Sequence, residues 1–110
     1  MCSKVIIVNH ECCGGEGLEH ILIGVFLRKL LASLQKPEVI IFYNSGVKLL
    51  TTKSDVLTIL EALQTAGVDI VACGMCVDGS CDNKPLMVGR ITSMDEIVSI
   101  LMGANTVITL

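Results

Sequence analysis

Aromatic and cationic side chains are scarce in this sequence. It has no Trp, one Tyr and two Phe, and its 8 Lys and Arg residues are outnumbered by 11 Asp and Glu residues. Binding of nucleic acid requires a positive surface for the phosphates and, for single strands, aromatic side chains on which bases stack. Because the formal net charge is -3, we expect no nucleic-acid partner.

Long hydrophobic runs are also absent. No segment approaches the roughly 18 apolar residues of a membrane span, and Val5–Val8 is too short for the apolar part of a signal peptide. Yet 52% of the 110 residues are hydrophobic, enough for one well-filled domain, residues 1–110. Disulfide scaffolds are typical of small, secreted, core-poor chains. We therefore expect the six cysteines to be reduced thiols in the cytoplasm.

Strand and helix patterns alternate along the chain. Several strand segments are continuous apolar runs, which are typical of strands covered on both faces in a largely parallel sheet between two helix layers. A capping box, Ser93 with Glu96, opens the last helix, Gly67 suits the C′ position of the second, and Gly103 closes the last. The predicted strands are Val5–Asn9, Glu38–Tyr43, Asp69–Cys73, Leu86–Ile91 and Thr106–Leu110, and the other two predicted helices are Gly17–Leu34 and Ser54–Ala66.

The first predicted helix is apolar on nearly every side. Only a narrow polar strip, around Glu16, His20 and Arg28, interrupts it. A helix of this kind is buried on more than one side. In so small a chain the second side is most simply a neighbouring subunit, so we expect a homo-oligomer, either a dimer or a trimer.

The strongest candidate site is the segment Cys73-Gly74-Met75-Cys76, which follows the third predicted strand. Ligands of open α/β sheets bind at the carboxyl ends of the strands. A cysteine thiolate can carry sulfur, exchange disulfides or bind metal. Gly74 leaves the Cys73 sulfur approachable, and Cys81 follows in the same loop.

The first strand-to-helix loop ends at the same edge of a parallel sheet and contains His10, Cys12 and Cys13. His10 is a candidate proton carrier or metal ligand. Gly14 and Gly15 could present backbone N–H groups to an anion, although a plain flexible turn fits them equally well. A second turn, Asn44-Ser45-Gly46, follows the second strand, and its residues tolerate positive φ.

A zinc site is the main alternative for these cysteines. Cys73 and Cys76 have the spacing of half a zinc site, which Cys81 or the residues of the first loop could complete. No second pair with this spacing exists, and a core-rich domain does not need zinc to fold. We expect no metal and no cofactor, and keep a metal-binding or redox-sensing module as the alternative function.

The order of several motifs resembles the DsrE/DsrF-like family, and most closely the C-terminal domain of YedF-type, sulfurtransferase-like selenium-metabolism proteins. The matching segments are Ile41–Leu49, Gly67–Ile70, Cys73-Gly74-x-Cys76, Val88–Met94 and Val107–Leu110. The His10–Cys13 cluster is not part of that pattern. The resemblance implies a three-layer α/β/α sandwich with a five-stranded, mainly parallel sheet, assembled as an oligomer.

The resemblance also implies a chemistry. In the sulfur-relay members, the cysteine just after the third strand accepts sulfane sulfur as a persulfide, and Cys73 holds that position. Cys76 matches the additional thiol of the YedF-type group. The resulting hypothesis is a sulfur or selenium carrier in which Cys73 attacks a donor persulfide and Cys76 closes a disulfide that releases the sulfur. Its partners would be sulfur-donor and sulfur-acceptor proteins.

Overall fold

The computed structural model describes residues 4–9, 18–50, 55–76 and 86–109. No helix among these residues is both long and apolar enough to cross a bilayer. The strands are β1 (Lys4–Val8), β2 (Val39–Phe42), β3 (Asp69–Cys73), β4 (Arg90–Thr92) and β5 (Thr106–Thr109), and the helices are α1 (Leu18–Ala32), α2 (Asp55–Thr65) and α3 (Met94–Gly103), with a 3₁₀ helix at Asn44–Leu50.

The strands form one five-stranded sheet in the order β4-β3-β2-β1-β5. Each neighbouring pair is parallel. In the centre of the sheet, Ile41 of β2 lies opposite Ile7 of β1 and Val71 of β3. The predicted α/β class and five-stranded parallel sheet are confirmed.

Two apolar layers cover the sheet because successive side chains of a strand point to opposite faces. On one face, Ile40 and Ile70 pack with Leu27 of α1 and Leu60 of α2. On the other face, side chains from three neighbouring strands pack with Ile97 of α3; these are Val5, Ile41, Val71 and Cys73. The sheet therefore lies between two helix layers, as the apolar runs predicted.

The predicted start of the fourth strand is wrong. Extended pairing begins at Arg90 and not at Leu86, because Gly89 has a φ of +82°, which strand residues do not adopt. The Gly89 N–H donates to Gln64 Oε1 at 2.9 Å, and the Met87 N–H donates to the Leu50 carbonyl at 2.8 Å. The segment before β4 is thus held by the 3₁₀ helix and α2.

Among the side chains that the structure describes, the exposed apolar ones lie mostly outside α1. In the part of α1 whose side chains are described, Ile23 and Leu27 are buried and Val25 is exposed. Three exposed apolar side chains of α3 instead follow one another at intervals of four residues, which places them on one side of the helix. They are Met94, Val98 and Met102, and we call them the α3 stripe.

Candidate functional site

Cys73 and Cys76 lie within one turn of backbone at the carboxyl end of β3. Cys73 is the last residue of the strand, and residues 74–76 are helical. Neither cysteine is in a disulfide. Cys73 is only 1% exposed, whereas Cys76 is partly exposed and contacts the apolar layers on both sides of the sheet. Cys76 is therefore the more accessible thiol of the pair.

Gly74 allows the helical turn to lie against β4. A Cβ atom at this position would be 3.2 Å from Ile91 Cγ2 and 3.5 Å from the Thr92 carbonyl oxygen. A larger side chain would push the turn, and Cys76 with it, away from the neighbouring strand. The role of Gly74 in the structure is thus close packing beside the thiols.

Three polar or reactive side chains come together in one row at this edge of the sheet. Cys73 is paired with Thr92 of β4. Tyr43 directly follows Phe42, which is paired with Ala72, so Tyr43 is level with Cys73 on the neighbouring strand. Tyr43 and Cys76 both pack against the apolar group that contains Cys73. The phenol therefore lies on the same face of the sheet as the buried thiol.

The base of the Tyr43 side chain is held by two backbone hydrogen bonds. The Tyr43 N–H donates to the Val8 carbonyl at 3.0 Å, and the Tyr43 carbonyl accepts from the Gly46 N–H at 2.8 Å. At the other end of the ring, the hydroxyl donates to the Met94 Sδ at 3.9 Å. Burial raises the pKa of Tyr43 above its ordinary value, and the nearby charges of ionised Cys73 and Cys76 raise it further.

An ion-pair network holds the start of α3 beside this row. Arg90 donates to Asp69 Oδ2 at 2.9 Å and to Glu96 Oε1 at 2.6 Å. Glu96 also accepts a short hydrogen bond from the Thr92 hydroxyl. The hydrogen bonds from Thr92 and Arg90 lower the pKa of Glu96, and those to Asp69 and Glu96 raise the pKa of Arg90.

The predicted capping box of α3 is half formed. Ser93 Oγ accepts from the Glu96 N–H at 3.3 Å, which is the first half of the motif. The Glu96 carboxylate, however, accepts from Thr92 and Arg90. The cap and the network together fix Met94, the first residue of α3, against the Tyr43 hydroxyl.

Of the other predicted site residues, the described structure contains Gly74 and the turn residues 44–46. Asn44, Ser45 and Gly46 begin the 3₁₀ helix; the side chains of Asn44 and Ser45 are not described, and Gly46 packs against the end of β1. Within the described residues, no group of three or more His, Cys, Asp or Glu side chains could hold a metal ion. The predicted residues outside the described part are His10, Cys12, Cys13, Gly14, Gly15 and Cys81.

Tyr43 and Thr92 were not among the site residues predicted from the sequence. Each lies at the end of a strand that neighbours β3, so the order of strands places them beside Cys73. A signal was present, because Tyr43 ends the predicted apolar strand Glu38–Tyr43 just as Cys73 ends the predicted strand Asp69–Cys73. This signal can be used only when it is known that β2 and β3 are adjacent and in which register they pair.

Comparisons with known proteins bear on the fold. No protein-family model and no curated protein matches the sequence. Among solved structures, the YchN protein from E. coli is similar over 100% of both chains, with a TM-score of 0.74 and 20% identity. A protein of unknown function from Methanobacterium thermoautotrophicum, MTH1491, is also similar over 100% of both chains, with a TM-score of 0.70 and 20% identity. Both have the DsrE/DsrF-like fold, and this chain shares it.

Proposed function

We propose that the chain is a carrier of sulfane sulfur, or of selenium in its place, on the thiols of Cys73 and Cys76. The observation that carries the proposal is that a buried and a partly exposed cysteine lie within one turn at the carboxyl end of β3. The resemblance of the surrounding segments to the YedF-type group supports the same chemistry. The proposal requires a compartment that keeps thiols reduced, such as the cytoplasm.

The two thiols differ in burial, which suggests that they act at different steps of the transfer. The sequence hypothesis assigns the first attack to Cys73, but a donor protein cannot reach a sulfur atom of a residue that is 1% exposed without local opening. Cys76 is partly exposed and can be reached directly. We therefore assign the first acceptance of sulfur to Cys76 and the resolving role to Cys73.

The transfer balances without any cofactor. The Cys76 thiolate attacks the outer sulfur of a donor persulfide, R–S–SH; the Cys76–S–SH group forms, the donor S–S bond breaks, and the donor leaves as the thiolate R–S⁻. An acceptor thiolate then takes the outer sulfur in the same way and restores the Cys76 thiolate. Alternatively, the Cys73 thiolate attacks the inner sulfur, forms the Cys73–Cys76 disulfide and releases HS⁻. That route needs a thiol reductant to regenerate the pair.

The test is incubation of the reduced protein with a low-molecular-weight persulfide, followed by intact-mass measurement and peptide mapping. We expect a gain of one sulfur that maps to the peptide containing Cys73 and Cys76. Cys76→Ser should abolish the gain. Cys73→Ser should retain the persulfide and prevent its release as sulfide, and Cys2→Ser is the matched control without effect.

Three results would contradict parts of this proposal. No gain of sulfur in the wild-type protein, or a gain that survives loss of both thiols, would overturn the carrier function. Uptake that depends on Cys73 and survives Cys76→Ser would restore the order of attack predicted from the sequence. One tightly held metal ion per chain, bound through the same thiols, would favour the metal-binding alternative.

A further inference from the structure

We propose that Tyr43 is a positioning residue of the thiol pair, whose hydroxyl turns from the Met94 thioether to donate a hydrogen bond to the anionic sulfur of Cys73 or Cys76. The inference deepens the proposed function and rests on it for the use to which the anionic sulfur is put. The hydrogen bond itself can be measured without any sulfur transfer.

The geometry places the phenol where this bond can form. Tyr43 follows the end of β2 level with Cys73 at the end of β3, and it packs in the same apolar group as both cysteines. Its backbone N–H and carbonyl are bonded to Val8 and Gly46. The ring is thus held at its base beside the two thiols.

The present partner of the hydroxyl is a weak one. The thioether of Met94, at 3.9 Å, is a poor acceptor compared with an anion. A hydrogen bond to a thiolate or a persulfide anion is charge-assisted and therefore stronger. When a sulfur atom in this partly buried row becomes charged, the phenol forms a stronger hydrogen bond by exchanging the Met94 thioether for the sulfur anion.

The polar side chains of β4 on this face of the sheet are already committed to other partners. From β4, the Thr92 hydroxyl donates to Glu96, and Arg90 is bonded to Asp69 and Glu96. From α3, the Glu96 carboxylate accepts both of these bonds. The Tyr43 hydroxyl therefore has a proton that can be redirected to the sulfur of Cys73 or Cys76.

The phenol keeps its proton while a thiol loses its own. An ordinary thiol ionises near pH 8.5 and an ordinary phenol near pH 10. Burial and the neighbouring thiols raise the pKa of Tyr43 still further. The phenol of Tyr43 therefore stays a neutral donor to a higher pH than an ordinary phenol does.

The first test compares the alkylation rates of Cys73 and Cys76 against pH in the wild-type protein and in Tyr43→Phe, with each site quantified by peptide mass mapping. Loss of the hydroxyl should raise the pKa of the more acidic thiol and slow its alkylation near pH 7 about tenfold, the size of one hydrogen bond to a charged group. Met94→Leu is the matched control. It removes the competing acceptor and leaves the phenol, so the thiol should not become less acidic.

A second test leaves Tyr43 in place. The chain has one Tyr and no Trp, so the absorbance change on forming a phenolate belongs to Tyr43 alone. Coupling between two groups is reciprocal. The midpoint of the phenol titration should therefore lie at a lower pH in the Cys73→Ser/Cys76→Ser variant than in the wild-type protein.

An unchanged alkylation profile in Tyr43→Phe with wild-type unfolding behaviour would overturn the inference, and so would equal phenol midpoints with and without the two thiols. These outcomes are distinguishable from failure of the proposed function. A Tyr43-dependent thiol pKa without sulfur uptake would refute the carrier and leave the hydrogen bond standing. Sulfur uptake without any effect of Tyr43→Phe on the thiols would support the carrier and refute the hydrogen bond.

Discussion

Gly46→Ala should destabilise the protein because the new methyl group would meet backbone atoms. A Cβ at this position would lie 2.5 Å from the Val8 carbonyl oxygen and 3.2 Å from its carbonyl carbon. Val8 ends β1, and its carbonyl accepts the Tyr43 N–H. These atoms cannot rotate aside as a side chain can. Either the 3₁₀ helix or the end of β1 must shift.

The expected cost follows from comparable overpacked sites. Inserting a methyl group into a close-packed region costs typically 1–3 kcal/mol, and a backbone obstacle places Gly46→Ala toward the upper end, at about 2–3 kcal/mol. For a domain of this size the melting temperature falls by roughly 4 °C per kcal/mol. We expect a decrease of about 8–12 °C.

Gly24→Ala is the matched control. Gly24 lies within α1, and the nearest atom to its added Cβ is Val56 Cγ2 at 3.8 Å, an ordinary contact distance. Ala is favoured over Gly in a helix by about 0.5–1 kcal/mol. The same chemical change should therefore stabilise the protein at one position and destabilise it at the other.

Equilibrium urea unfolding, read by circular dichroism at one fixed protein concentration, provides the comparison. The midpoint should decrease for Gly46→Ala and increase slightly for Gly24→Ala. A Gly46→Ala protein as stable as the wild type would refute the close approach of the 3₁₀ helix to β1. It would also remove the basis for holding Tyr43 beside the thiols.

Three further predictions concern charge, assembly and metal. Hydrogen bonds from Thr92 and Arg90 lower the pKa of Glu96, so its ionised form stabilises the fold above the ordinary pKa of 4.5, and this contribution is lost as the pH falls through the lower folded value. Glu96→Gln should therefore reduce stability more at pH 7 than in acid below the folded pKa, and Glu61→Gln, at an exposed position of α2, is the control. We expect a dimer or trimer in sedimentation, and Val98→Asp, in the centre of the α3 stripe, should shift it toward the 11.7 kDa monomer; a wild-type monomer at micromolar concentration would contradict this. Protein purified without chelator should contain no stoichiometric zinc or iron by elemental analysis, and one metal ion per chain would show the opposite.

Local patterns determined much of the secondary structure. The strand Asp69–Cys73 was predicted with the bounds that the structure has, because a continuous apolar run closed by a cysteine and a glycine is a local signal. The cap at Ser93 and the positive φ of Gly67 depend on residues within one turn of each other. For the same reason the sequence identified Cys73 and Cys76 as a pair.

The surroundings of that pair depended on contacts between residues distant in sequence. Tyr43 lies beside Cys73 because β2 and β3 are neighbours in a defined register. β4 begins late because Gly89 has a positive φ, and the Gly89 N–H is bonded to Gln64 of α2. Burial of the first cysteine and partial exposure of the second depend on two packed layers. Such features arise from sheet order and packing between elements, which periodicity along a single segment does not encode. The sequence by itself therefore determined which thiols are present and where the strand ends, and the tertiary structure decided which of them a partner can reach and which phenol faces them.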